Sequence, residues 1–191
     1  MDIQLIAMDL DHTALQPDRK TFSPRLNAAL GAAHRRGVAV VPITGRQFFI
    51  LPPAVHKDAE WAGLVVLSNG GEVRRLTDGA LLSGHYLEPD TLHSLVSAAE
   101  ELGLPIELSA GDGLYLSPAG LDSQRRTGGP LRFHLEDVLA RFGHETADLH
   151  GFLDGSPTVD KVNLPYVPDE IRAEAERALN ALPISWFWSG P

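Results

Sequence analysis

The stretch that most narrows the possible folds is Leu5–Leu15, LIAMDLDHTAL, an apolar run that empties into two carboxylates. Leu5, Ile6, Ala7 and Met8 form the continuous hydrophobic run expected of a short buried strand in a parallel sheet. Asp9 and Asp11 follow at once, and two acids this close are costly in a core without partners. They are tolerable at the carboxyl end of a strand, where an open α/β sheet presents its ligand crevice. A divalent cation there would neutralise the pair, leaving one carboxylate to attack and the other to move protons. The alternative is an Asp-rich turn in which both acids cap backbone N–H groups.

The next segments extend the pattern. Ser23 before Pro24 is an N-cap and first-turn pairing. Leu26, Ala29, Leu30 and Ala33 keep helical spacing, and Gly37 is placed to end that helix. Val38–Ile43 is a second apolar run, so the chain opens strand–helix–strand, with parallel strands and a right-handed crossover. That strand ends in Thr44-Gly45-Arg46. A hydroxyl and a bare glycine N–H at a strand tip can hold a phosphate oxygen, or Thr44 can simply cap the turn. Arg46 is placed to reach a substrate or to pair at the surface. Residues 47–63 are expected to be irregular, with Pro52-Pro53 interrupting any helix. Leu64–Leu67 reads as a third buried strand, ending in the tight-turn sequence Ser68-Asn69-Gly70-Gly71.

Glu72–Arg75 and Leu81–Ser83 flank Thr77-Asp78-Gly79 as a hairpin, and the pattern changes near His85. A helix is expected from Pro89-Asp90 to Gly103, strands at Ile106–Leu108 and Leu114–Leu116, and a helix at Leu135–Phe142. A strand at Val159–Leu164, an amphipathic helix at Asp169–Leu182 and a last strand at Ile184–Trp188 complete the reading. Gly111-Asp112-Gly113 reads as a hairpin turn, Arg125-Arg126 as a solvated loop, and Lys161 as a solvent- or cleft-facing strand residue. Tyr115, Phe133, Trp186, Phe187 and Trp188 read as core or interface. None of the eight histidines forms an i, i+4 metal-ligand pair on a helix.

A formal net charge of −9 argues against a nucleic-acid binder that works through general phosphate attraction, while leaving a small phosphorylated substrate open. The chain has no cysteine, which excludes disulfides and thiolate chemistry. No run approaches membrane-spanning length, so the expected location is the cytoplasm.

Asp9-Leu10-Asp11-His12-Thr13 resembles the DxDxT signature of the haloacid dehalogenase (HAD) superfamily. Thr44-Gly45-Arg46, within PITGRQ, is similar to the second motif of the Cof-type branch, and Ser68-Asn69-Gly70 to an SNG-like segment of the same branch. The resemblance implies an α/β fold: a HAD-like Rossmannoid parallel-sheet core, incomplete at its C-terminus, with an inserted α+β cap of type IIB. On that reading residues 1–83 are the core, 84–186 the cap and 187–191 the start of the return. It also implies a Mg²⁺-dependent phosphomonoester hydrolase acting on a small, sugar-phosphate-like substrate. Asp9 would be the nucleophile and Asp11 the acid and base. Mg²⁺ would sit on the Asp9 carboxylate and the Asp11 backbone carbonyl. Leu10, Thr44, Gly45, Arg46 and Asn69 would contact substrate or phosphate, and the cap would close over it. The match stops before the family's lysine and GDxxND motifs, because neither Lys161 nor Gly111-Asp112 has the required context. Two alternatives therefore accompany the hydrolase: a truncated, non-catalytic protein that binds a ligand or partner, and a phosphotransferase of the same superfamily. Exposed sheet edges would allow a homodimer, and neither nucleic acid nor membrane is expected as a partner.

Overall fold

The opening apolar run forms β1 (Leu5–Asp9), and the crossover that follows delivers β2 (Ala39–Ile43) parallel beside it, from Leu5 opposite Ala39 to Asp9 opposite Ile43. The computed structural model describes residues 3–188 and divides into two compact units, one ending at His85 and one beginning at Tyr86. In the N-terminal unit, β3 (Leu64–Leu67) lies parallel to β2, then β4 (Glu72–Arg75) and β5 (Leu81–Gly84) add antiparallel strands. The order β1-β2-β3-β4-β5 leaves β1 at the sheet edge.

Local signals explain the connecting helix α1 (Pro24–Arg35). The Ser23 hydroxyl accepts the Leu26 N–H at 3.2 Å, Pro24 needs no partner in the first turn, and Gly37 leaves the helix at φ +83°. The expectation for residues 47–63 needs correcting. Pro53 starts helix α2 (Pro53–Lys57) instead of interrupting one, because a proline at the first helical position loses no hydrogen bond.

Ile6 and Met8 join Val40, Val65, Leu67, Leu30 of α1 and Val55 of α2 in one core. The opposite face is more open: Leu5 is 57% exposed, Ile43 38% and Leu64 36%, although Val41 on that face is buried. β1 is therefore half-buried on alternate residues and exposed on the others, because α1 and α2 pack on one face of the sheet.

The C-terminal unit is built on β6 (Glu107–Ala110), β7 (Gly113–Leu116), β8 (Gly143–Glu145) and β9 (Val159–Asn163), in the order β8-β7-β6-β9. Gly111 and Asp112 make the expected hairpin turn between β6 and β7, with Gly111 at φ +61°. Its helices are α3 (Pro89–Glu101), α4 (Pro118–Thr127), the single turn α5 (Ala140–Phe142), α6 (Leu149–Asp154) and α7 (Arg172–Asn180). Leu92, Leu95 and Val96 of α3, Leu153 of α6 and Leu179 of α7 pack with Leu108 and Val159 in a second core.

Two expectations fail here. Arg125 and Arg126 lie in the last turn of α4 and not in a loop. Its start was signalled by Ser117, whose hydroxyl accepts the Gly120 N–H at 3.1 Å, and by Pro118 after it. Ile184–Trp188 forms no strand. Trp186 packs against the second core, whereas Phe187 is 61% exposed. Trp188 donates its indole N–H to Glu176 and lies under the Arg172 guanidinium, 4.3 Å from its ring centroid. Of the stretch expected to begin the return to the core, 189–191 lie outside the described residues. Among the described residues no helix is long and apolar enough to cross a membrane.

Candidate active site

Parallel strands in consecutive positions end on one side of a sheet, so β1, β2 and β3 bring Asp9, Thr44 and Asn69 to neighbouring tips. Adjacent strands stand about 4.8 Å apart, which places the three residues within about 10 Å. Backbone bonds lace the second and third tips together. The Thr44 N–H donates to Val66 O at 3.0 Å, the Asn69 N–H to Thr44 O at 3.1 Å and the Ser68 N–H to Arg46 O at 3.0 Å. Ser68, Asn69 and Gly70 all adopt positive φ, at 51°, 57° and 102°. This tight reversal turns Asn69 back onto Gly45, where a Cβ would lie 2.7 Å from Asn69 Oδ1. Gly45 therefore makes room for the Asn69 amide, which any side chain at this position would displace.

The chain leaves β1 in an equally tight turn. The Leu15 N–H closes on Leu10 O at 2.8 Å, and His12 sits at φ +58°. That left-handed conformation is one that favours glycine, and His12 adopts it here. The Leu10 side chain is fully buried and anchors the turn, so only its backbone is left for a ligand. Thr13 Oγ donates to Asp9 Oδ2 at 2.7 Å, which orients the Asp9 carboxylate.

Arg46 pairs with the site itself, half-buried beside Asp11. Its Nε and Nη2 grip the two Asp11 oxygens at 2.8 and 2.7 Å, while its guanidinium also donates to the carbonyls of Ile50 and Arg19, both at 3.2 Å. Burial alone would raise the Asp11 pKa, but the hydrogen bonds and charge of Arg46, with help from Arg19, hold it below the ordinary aspartate value. The Thr44 hydroxyl accepts the Arg46 N–H at 3.1 Å, so the capping reading holds and the hydroxyl proton is still available to donate.

Sequence reasoning missed Arg19, whose Nη2 lies 3.3 Å from His12 Nε2, and Gln47, which is 4% exposed. Gln47 Nε2 has no hydrogen-bond partner among the described residues. Position directly after Thr44-Gly45-Arg46 was the only signal for Gln47, and none existed for Arg19.

The Asp9 carboxylate and the Asp11 carbonyl are hard oxygen donors of the kind Mg²⁺ takes, with water and phosphate completing its shell. Among the described residues no group of three or more His, Cys, Asp or Glu could hold a metal ion. The two oxygens fit an ion whose other ligands are water and phosphate.

Solved structures share this arrangement of elements. A haloacid dehalogenase-like hydrolase from B. subtilis superposes with a TM-score of 0.70 at 19% identity, covering 94% of this chain and 67% of its own. A HAD-superfamily phosphatase from Bacteroides thetaiotaomicron gives 0.68 at 18% identity, covering 97% and 64%. A sugar phosphatase of HAD subclass IIB gives 0.68 at 13% identity, covering 93% and 64%. Another haloacid dehalogenase-like hydrolase from Bacteroides thetaiotaomicron is covered over 53% of its length, so this chain spans about half to two thirds of such proteins. At these identities the likeness establishes the fold. Residues 6–151 match the haloacid dehalogenase-like hydrolase profile, which takes in the β1, β2 and β3 tips, and the chain belongs to that family.

Proposed function

We propose that this chain hydrolyses a small phosphomonoester, of sugar-phosphate type, through a phosphoryl group carried on Asp9. The observation that carries the reading is the meeting of Asp9, Thr44-Gly45 and Asn69 at three adjoining strand tips, in a chain of this family. Asp9 attacks phosphorus, the new P–O bond forms as the ester oxygen leaves, and Asp11 gives that oxygen a proton. Asp11 then takes a proton from the water that cleaves the aspartyl-phosphate. The Thr44 hydroxyl and the Gly45 N–H donate to phosphate oxygens, and Asn69 contacts the substrate beside them. Mg²⁺ held by Asp9 and the Asp11 carbonyl would supply positive charge against the phosphate. The C-terminal unit is read as the cap domain, and the cytoplasm as the place of action.

The Arg46–Asp11 pair sets a condition on this cycle. A carboxylate gripped at both oxygens is held ionised, which suits the base step, so Arg46 must turn aside before Asp11 can act as an acid. The same grip favours a second reading, in which the chain binds a phosphorylated ligand without turning it over. Mg²⁺-dependent hydrolysis of a generic phosphomonoester by the full chain, beside Asp9→Asn, separates the two. Activity that disappears in the variant supports the hydrolase. Full activity in the variant overturns it, and binding without turnover in either chain favours the second reading. Added alcohol acceptors would report transfer to a group other than water.

A further inference from the structure

A second group of buried polar atoms lies in the C-terminal unit, away from its apolar core. Glu107 and Ser109 are two residues apart on β6 and so project to one face of the sheet. Lys161 on β9 is the cross-strand partner of Ser109 and shares that face, half-buried. Gln124 of α4 and His134 each bring a side-chain nitrogen to 2.7 Å from Glu107 Oε1. Glu107 and Ser109 are 1% exposed and Gln124 0%, yet Glu107 Oε2, Ser109 Oγ and Gln124 Oε1 have no hydrogen-bond partner among the described residues. Buried polar groups are ordinarily paired, and three orphans in one cluster mark a place shaped for hydrogen bonds from elsewhere. Burial also pushes the Lys161 ammonium below the ordinary lysine pKa, against the opposing charges of Asp160 and Glu107.

We propose that this cluster binds a small neutral polyhydroxylated molecule, a sugar or polyol, whose hydroxyls pair with Glu107, Ser109 and Gln124. Glu107 Oε2 and Gln124 Oε1 only accept, so the occupant must donate; the Ser109 hydroxyl and the Lys161 ammonium donate, so it must also accept. An anion would meet the Glu107 carboxylate, a cation would meet Lys161, and an apolar ligand would leave all three orphans. Hydroxyl groups satisfy both kinds of partner. Entry requires the cover to lift. His134, which reaches Glu107, begins the short turn His134–Leu139, and that turn opens more readily than paired strands. The proposal does not depend on Asp9.

The test uses the full chain carrying Asp9→Asn, titrated with D-glucose, D-ribose and glycerol, and separately with inorganic phosphate. The readouts are NMR shifts at the Gln124 side-chain amide and the Ser109 and His134 backbone amides, together with slowed hydrogen exchange over 134–139. The expected result is saturable shifts with at least one of the three polyols, weakened roughly tenfold by Ser109→Ala and by Lys161→Met. Either variant suffices if the other fails to fold. No saturable shift with any polyol would mean that ordered water alone completes the cluster, and would overturn the proposal. So would shifts unchanged in the folded variants, or shifts elicited by phosphate instead.

Discussion

Arg46 and Asp11 are 35 residues apart in sequence and meet because β1 and β2 end side by side. Arg46→Met would leave a partly buried carboxylate without its main partner, costing about 1–2 kcal/mol near neutral pH in EDTA, measured by urea unfolding. The folded-state pKa of Asp11 is lowered, so the stability it contributes is present above the unfolded value near 3.8 and is lost as pH falls through the folded value. The gap between wild type and Arg46→Met should hold at neutral pH and close below about pH 4. A constant gap across that range would assign the loss to packing alone. At this scale the Asp9–Thr13, Thr44–Arg46 and Ser68–Gly70 stretches were legible because each follows its own strand directly. The Arg46 grip was not, because nothing local encodes which carboxylate an arginine meets across two strand tips. The orphaned Gln124 was equally hidden, one residue before the Arg125-Arg126 pair read as a solvated loop.

Elements were legible where their ends carry their own signals. Ser23-Pro24 and Gly37 bracket α1, and both did what side-chain capping and left-handed glycine predict. Ser23→Ala should cost about 1 kcal/mol, seen as a lower urea midpoint with an unchanged slope. An unchanged midpoint would mean that packing of Leu26 and Leu30 fixes the helix start without its cap. Pro53 shows the ambiguity of the same residue type: proline stops a helix from inside and starts one from its first turn. Ile184–Trp188 shows another, since an apolar run reads alike as a strand or as a segment packed by its aromatic rings. Only tertiary neighbours distinguish the two.

For the whole molecule, the sequence announced a parallel αβ opening and a change of pattern near His85, whereas the one-sided burial of the first sheet came only with the structure. Leu5 and Ile43 face outward on a sheet whose edge strand, β1, carries no charge before Asp9. Such an edge favours self-association. The mass measured by light scattering should rise with protein concentration, and Leu5→Lys should suppress the rise; a constant monomer would contradict this. The family assignment rests on residues 6–151, and the chemistry proposed for it converges on one atom group, the Asp9 carboxylate. The most direct test is rapid acid quench of the Asp11→Asn variant, which should form the acyl-phosphate but hydrolyse it slowly, after mixing with Mg²⁺ and a reactive phosphomonoester. Peptide mass analysis should then find one phosphoryl group on Asp9. Turnover by the wild-type chain with no phosphoryl group on Asp9, or with the group on another residue, would contradict the account.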